Sequence, residues 1–173
     1  PIIGGFADKY SAQVKSLSFI APAGFGKEQT SIPFFMKIPG VIEWAMHVLA
    51  DRFYGSAISS ETTHSSDPLS INEEEFQHLF SFQMQFKGFR ESLASTMRNF
   101  NLFDAREMFE KVAAKNIPSI VIWGDNDGIV SYKGAETYSE IFHEGRVITI
   151  EDGTHDITYR QPSQILKALK DFL

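Results

Sequence analysis

The sequence predicts an α/β fold, with parallel strands flanked by helices and a mostly helical segment inserted between them. Three observations predict it. The run from Ile117 to Trp123 is apolar and rich in β-branched residues, which reads as a buried strand that stops at Gly124. Arg146-Val147-Ile148-Thr149-Ile150 reads as a second strand, and a helix-like segment from Ser131 to about Phe142 separates the two. The C-terminal stretch carries Ile165, Leu166, Leu169, Phe172 and Leu173 at helical spacing, a stripe suited to packing on a sheet.

Taken in order, Pro1 to Tyr10 reads as a helix with Ile2, Ile3, Phe6 and Tyr10 near one face. Proline is tolerated in a first turn, where its missing N–H would have no partner anyway. Gly4 and Gly5 weaken a helix unless something packs closely against them. Val14 to Ile20 reads as a strand, ended by Ala21-Pro22-Ala23-Gly24. From Phe25 to about Phe103 the strand pattern disappears. Ile42 to Phe53 is helix-like, and Gly55 to Pro68 is a Ser/Thr-rich connection. Ser70-Ile71-Asn72-Glu73 has the form of a capping box and opens a helix carrying Phe76, Leu79, Phe80 and Gln83. Gly88 interrupts, and a further helix runs from about Phe89 to Arg98. Asp104-Ala105-Arg106-Glu107 is a second capping box, followed by Met108, Phe109 and Val112 on one face. Ser131 can cap the helix after the central strand, and Pro162 sits in the first turn of the last one. The expected organisation is a core made of 1–24 and 104–173, interrupted by a helical insertion over 25–103.

Composition narrows the function classes. A chain of 173 residues can bury a core, and 43% hydrophobic with 22% charged residues is a globular balance. A net charge of −6 disfavours nucleic acid, which requires a basic face. With no Cys, disulfides, thiolate zinc sites and a Cys nucleophile are excluded from these residues. His47, His64, His78 and His143 show no ligand spacing, so neither a metal nor another cofactor is expected. No apolar run reaches the roughly 18 residues of a spanning helix. No signal peptide is visible, but the chain opens at Pro1, so targeting is left unread, with the cytoplasm as default. Glu73-Glu74-Glu75 suits the positive end of a helix dipole. The many Phe of the middle third are core formers first, and one face of an insertion can also line a pocket.

Two loops carry chemistry. The first strand is followed by Asp125-Asn126-Asp127-Gly128, and the second by Glu151-Asp152-Gly153-Thr154-His155-Asp156. In a parallel sheet both loops lie at the same edge, where catalytic groups gather. Asp-Asn-Asp-Gly is also ordinary turn chemistry, and Asp125 competes with Asp127. An acid and a histidine together suggest two members of a nucleophile–His–acid system. Asp156 reads as a cap or turn residue of its loop.

The order Ile-Pro-x-x-Val-Ile-Trp-Gly-x-x-Asp-x-x-Val, a helix, a strand, Gly-x-His-Asp and then Gln-Pro before a last helix resembles the C-terminal part of an α/β-hydrolase. The resemblance implies that Asp127 is the acid, that His155 is the general base and that the insertion is a cap. Phe6-Ala7-Asp8-Lys9-Tyr10 and Val14-Lys15-Ser16-Leu17, before a strand finishing in Ala21-Pro22, resemble the segment that follows the family's nucleophile elbow. Two registers follow. Either Gly4-Gly5 are the last glycines of the elbow and Ile2 stands at the nucleophile position, or the elbow lies before Pro1. Helix length favours the second, because the first leaves too few residues before Tyr10. The nucleophile, the oxyanion-hole loop and the first strands are then expected upstream. The edge of the Val14–Ile20 strand is expected to pair with them, or with a second copy if left bare.

The function implied is hydrolysis of a small apolar ester-like substrate by a Ser-His-Asp triad. Carbon–carbon hydrolysis of a vinylogous diketone stays open, as do epoxide hydrolase or dehalogenase chemistry with an Asp nucleophile. The alternative is a non-catalytic or shortened relative that acts by binding. A nucleotide-binding protein would need a Gly-rich phosphate loop, and Ala23-Gly24-Phe25-Gly26 is too sparse for one.

Overall fold

The computed structural model describes residues 2–26, 38, 40–48, 65–99 and 103–173. The end of the first expected insertion helix, Leu49 to Phe53, lies outside them. So does the Gly55–His64 part of the Ser/Thr-rich connection. The chain divides into two compact units. One comprises Pro1–Gln29, Ser65–Ser70 and Asn101–Leu173, and the other Thr30–His64 and Ile71–Phe100.

The first unit holds a three-stranded parallel sheet in the order β1-β2-β3, with β1 Leu17–Ile20, β2 Ser119–Gly124 and β3 Arg146–Ile150. Leu17 pairs with Ser119, and Gly124 pairs with Ile150. Every residue of β2 is buried, as expected of a parallel strand covered on both faces. Val121 and Trp123 face one core, Ile120 and Ile122 the other. Each such side chain contributes roughly 1.5–3 kcal/mol by leaving water. Among the described residues β1 pairs only with β2, so its outer edge is open.

The Val121 face is covered by residues of α1 (Ile2–Lys9), α5 (Arg106–Ala113) and α6 (Gly134–Ile141). Its centre is aromatic. Phe19 meets Phe25, Phe109, Tyr138 and Phe142, while Phe25 and Phe109 stack at 4.1 Å. The buried Tyr138 hydroxyl shares a hydrogen bond of 2.8 Å with Ser119. Burial pushes the Tyr138 phenol up to about 12, although the bond to Ser119 pulls the other way. The opposite face is covered by α7 (Ile157–Arg160) and α8 (Pro162–Phe172) through Ile157, Ile165 and Ala168.

In the second unit, α2 (Val41–Val48) packs on α4 (Phe89–Asn99) through Ile42, Ala94 and Leu93. α3 (Glu73–Met84) precedes α4, and Gly88, with φ +87, makes the turn between them. Phe82 and Phe86 are exposed and meet edge to face at 5.2 Å.

Several expected details differ. The strand after α1 starts at Leu17 rather than Val14, because Ser11–Gln13 forms a 3-10 turn. In α1 the residues that pack are Gly4 and Ala7, whereas Ile2, Ile3, Phe6 and Tyr10 are exposed. A Cβ on Gly4 would meet Met108, so glycine lets α1 approach α5, while nothing lies against Gly5. Asn72, not Ser70, caps α3, accepting from the Glu75 amide at 2.8 Å. Ser70 is held in a turn by the Asp67 carbonyl. Asp104 bridges to Phe25 in extended form and its Oδ1 accepts from the Arg106 amide at 3.0 Å, while Ala105 takes the cap position of α5. α6 starts at Gly134, after a turn closed by the Ser131 carbonyl, so Ser131 is not its cap. In α8 the packed face is Ile165, Ala168, Leu169 and Phe172, leaving Leu166 and Leu173 exposed.

At the C-terminal edge of the sheet, β2 and β3 end in backbone contact. A Cβ on Gly124 would fall on the carbonyl of Gly153. The Asn126 amide donates to that carbonyl at 3.0 Å, and the Asp125 amide donates to Ile150 at 3.2 Å. Gly124→Ala sets a methyl against backbone that cannot swing aside, and is expected to lower Tm by roughly 5–10 °C in calorimetry. An unchanged Tm would mean that the two loops part readily. Tyr138→Phe strands the Ser119 hydroxyl and is expected to cost roughly 1–2 kcal/mol at neutral pH. The raised phenol contributes stability that is full below pH ~10 and lost as pH rises through its folded value. The gap between wild type and variant in chemical denaturation should therefore narrow between pH ~10 and ~12.

Candidate active site

The loop after β2 presents Asp127 with its side chain fully buried. Its Oδ1 accepts from the amides of Ile129 at 2.9 Å and Val130 at 2.7 Å. The Trp123 indole closes the same turn by donating to the Val130 carbonyl at 3.0 Å. Asp-Asn-Asp-Gly is thus turn chemistry, but the turn serves to aim a carboxylate.

Asp127 Oδ2 lies 2.9 Å from His155 Nδ1, on the loop after β3. Paired with an ionised carboxylate, which only accepts, Nδ1 is the ring nitrogen that holds a proton. The His155 side chain is 34% exposed while Asp127 is dry, so the ring presents one side to solvent and the other to its acid. Asp125 is exposed at the surface of the turn, and Asp127 is the carboxylate that meets Nδ1. The two expected site residues are thus brought together by neighbouring parallel strands.

The His155 loop has further anchors. The hydroxyl of Thr154 donates to Asp156 Oδ1 at 2.5 Å, and Arg160 Nε donates to Asp156 Oδ2 at 3.0 Å. Asp156, expected to cap or turn its loop, takes the cap position of α7 without a side-chain cap bond, and its carboxylate binds Thr154 and Arg160 instead. Gln161 Nε2 holds the Glu151 carbonyl at 3.2 Å. The Ser65 hydroxyl donates to the Arg160 carbonyl. Asp67 accepts from the Ser163 amide at 2.9 Å and from its hydroxyl at 2.7 Å, filling an orphan donor in the first turn of α8. Burial acts to raise the Asp67 carboxyl, but its bonds from Leu69 and Ser163 outweigh this and hold it below the usual range. The Asp156–Arg160 pair was legible as an i, i+4 spacing, whereas nothing in the sequence marks the ties from Ser65 and Asp67.

His78 and His143 are exposed. Among the described residues, no group of three or more His, Asp or Glu is placed to hold a metal. Nor is any helix among them long and apolar enough to cross a membrane. An open groove of about 750 Å³ is lined by Ile117, Pro118, Ser119, Phe142 and Arg146. It sits where β2 and β3 begin, at the edge opposite Asp127 and His155.

No protein-family model matches the chain. Its sequence is similar to that of monoacylglycerol lipase ABHD6 of Mus musculus, 22% identical over 181 residues, covering 99% of this chain and 51% of that protein. It is also similar to Lipase 3 of Moraxella sp. (strain TA144), 26% identical over 167 residues, covering 87% and 45%. The chain spans about half the length of the curated relatives it matches. In structure it is similar to a bromoperoxidase from Bacillus anthracis, with a TM-score of 0.67 and 17% identity over 98% of this chain and 62% of that one. With its parallel sheet, flanking helices and polar loops at one edge, the chain has the α/β-hydrolase fold.

Proposed function

We propose that Asp127 and His155 are the acid and general base of a serine hydrolase that acts on a carboxylic ester or a similar apolar acyl substrate. The observation that carries this is the 2.9 Å contact between His155 Nδ1 and the buried Asp127. Asp127 fixes the tautomer, so Nε2 can take the proton of a serine as it attacks the substrate carbonyl. The imidazolium that forms is stabilised by the carboxylate, and Nε2 then returns the proton to the leaving alcohol. Similarity to two proteins named as lipases supports the ester class. No cofactor enters these steps.

In this reading the nucleophile and the oxyanion-hole amides belong to a segment upstream of Pro1. Gly4 supports that register, since its packing against Met108 gives a reason for glycine other than an elbow. The open edge of β1 and the exposed Ile2, Ile3 and Phe6 of α1 fit the same reading, as surfaces that upstream strands and helices cover. The inserted helical segment is read as the cap that the resemblance implies.

In the source protein, a fluorophosphonate is expected to label a serine in a peptide that continues into Pro1-Ile2-Ile3. Asp127→Asn is expected to slow that labelling by about 10⁴-fold, because the imidazole loses its fixed tautomer. Absence of any label, read by peptide mass spectrometry, would remove the serine-hydrolase reading. These 173 residues by themselves are expected to show negligible esterase activity. Robust turnover by them, lost on His155→Ala, would overturn the upstream placement of the nucleophile.

A further inference from the structure

We infer that Thr154, Asp156 and Arg160 are positioning residues that set the imidazole of His155 against Asp127. This rests on the acid–base reading of that pair and names what holds it in register. His155 is flanked in sequence by Thr154 and Asp156, whose side chains bond each other at 2.5 Å. The two neighbours of the histidine thus close a bracket around its backbone. The bracket is dry: Thr154 is 7% exposed, and the Asp156 and Arg160 side chains are 14% and 9% exposed. Arg160 Nε ties the free end of the bracket to α7 at 3.0 Å. The Asp156 carbonyl accepts from the amides of Tyr159 and Arg160, so the same residue opens that helix.

The arrangement matters because the His155 ring is the exposed partner of the pair. Asp127 is fixed by two amides, and the loop that carries the imidazole is held by the bracket. A misplacement of about 1 Å in a reacting group can cost about 100-fold in rate. Binding both oxygens of Asp156 also keeps that carboxylate occupied, leaving Asp127 Oδ2 as the acceptor for Nδ1.

The test is the nitrogen-15 signature of the His155 ring, read by long-range proton–nitrogen correlation in labelled protein, with no turnover needed. Wild type is expected to show the Nδ1–H tautomer and a protected, downfield Nδ1 proton. Thr154→Val removes only the bracket hydroxyl. It is expected to lose that proton signal and populate both tautomers. Thr154→Ser, which keeps the hydroxyl, should retain the wild-type signature, and Arg160→Met should lose it. A Thr154→Val protein with the wild-type signature would overturn the inference. Should that variant fail to fold, Asp156→Asn breaks the same bracket and is read in the same way, with a wild-type signature again overturning the inference. Wild type without the Nδ1–H tautomer would instead overturn the acid–base reading itself, so the two failures are distinct.

Discussion

The site depends on a place where two strands end without side chains. Gly124 and Gly153 bring the backbones after β2 and β3 into direct contact, closer than any Cβ allows. Because Asn126 donates to the Gly153 carbonyl, the turn that aims Asp127 is built on the loop that carries His155. The separation of Asp127 and His155 is therefore set by peptide geometry rather than by flexible side chains. Peptide units are stiff, so an arrangement built on them keeps its register better than one built on loops alone.

Burial then decides what the pair can do. A carboxylate removed from water is costly unless its charge is satisfied. Asp127 meets this with two amides on one oxygen and His155 Nδ1 on the other. His155 stays partly in water. The division between a fixed dry carboxylate and a half-wet imidazole follows from the order of the sheet. Among the described residues β2 is central and wholly buried, whereas β3 lies at an edge and its loop reaches solvent.

Much of this was legible in the sequence, and the exceptions have physical causes. The β-branched run of β2 and the spacing from Gly124 to Asp127 announced a strand and its loop, because burial on both faces leaves a continuous apolar signature. Helix faces were less legible. The apolar stripe of α1 marks Ile2, Ile3 and Phe6, yet α1 packs through Gly4 and Ala7, small residues that carry no hydrophobic signal. In α8 the packed face is turned toward Ala168, away from Leu166 and Leu173. The expected caps Ser70 and Asp104 lie before their helices start, Ser70 in a local turn closed by Asp67 and Asp104 in extended backbone bridged to Phe25. Ties such as Ser65 to Arg160 and Asp67 to Ser163 join segments far apart in the chain, and no local pattern encodes them.

The pairing of the strands bears on how the chain reaches this state. β2 and β3 are joined by one short helix, so Gly124 meets Ile150 through a small loop. β1 meets β2 only across the whole inserted unit, Leu17 against Ser119. Closing the longer loop carries a larger entropic penalty and delays the contact. The acid and the histidine sit on the quick side of this division. Asp127 and His155 both follow strands of the stretch from α5 to α8, so the shorter of the two loops is the one that joins them.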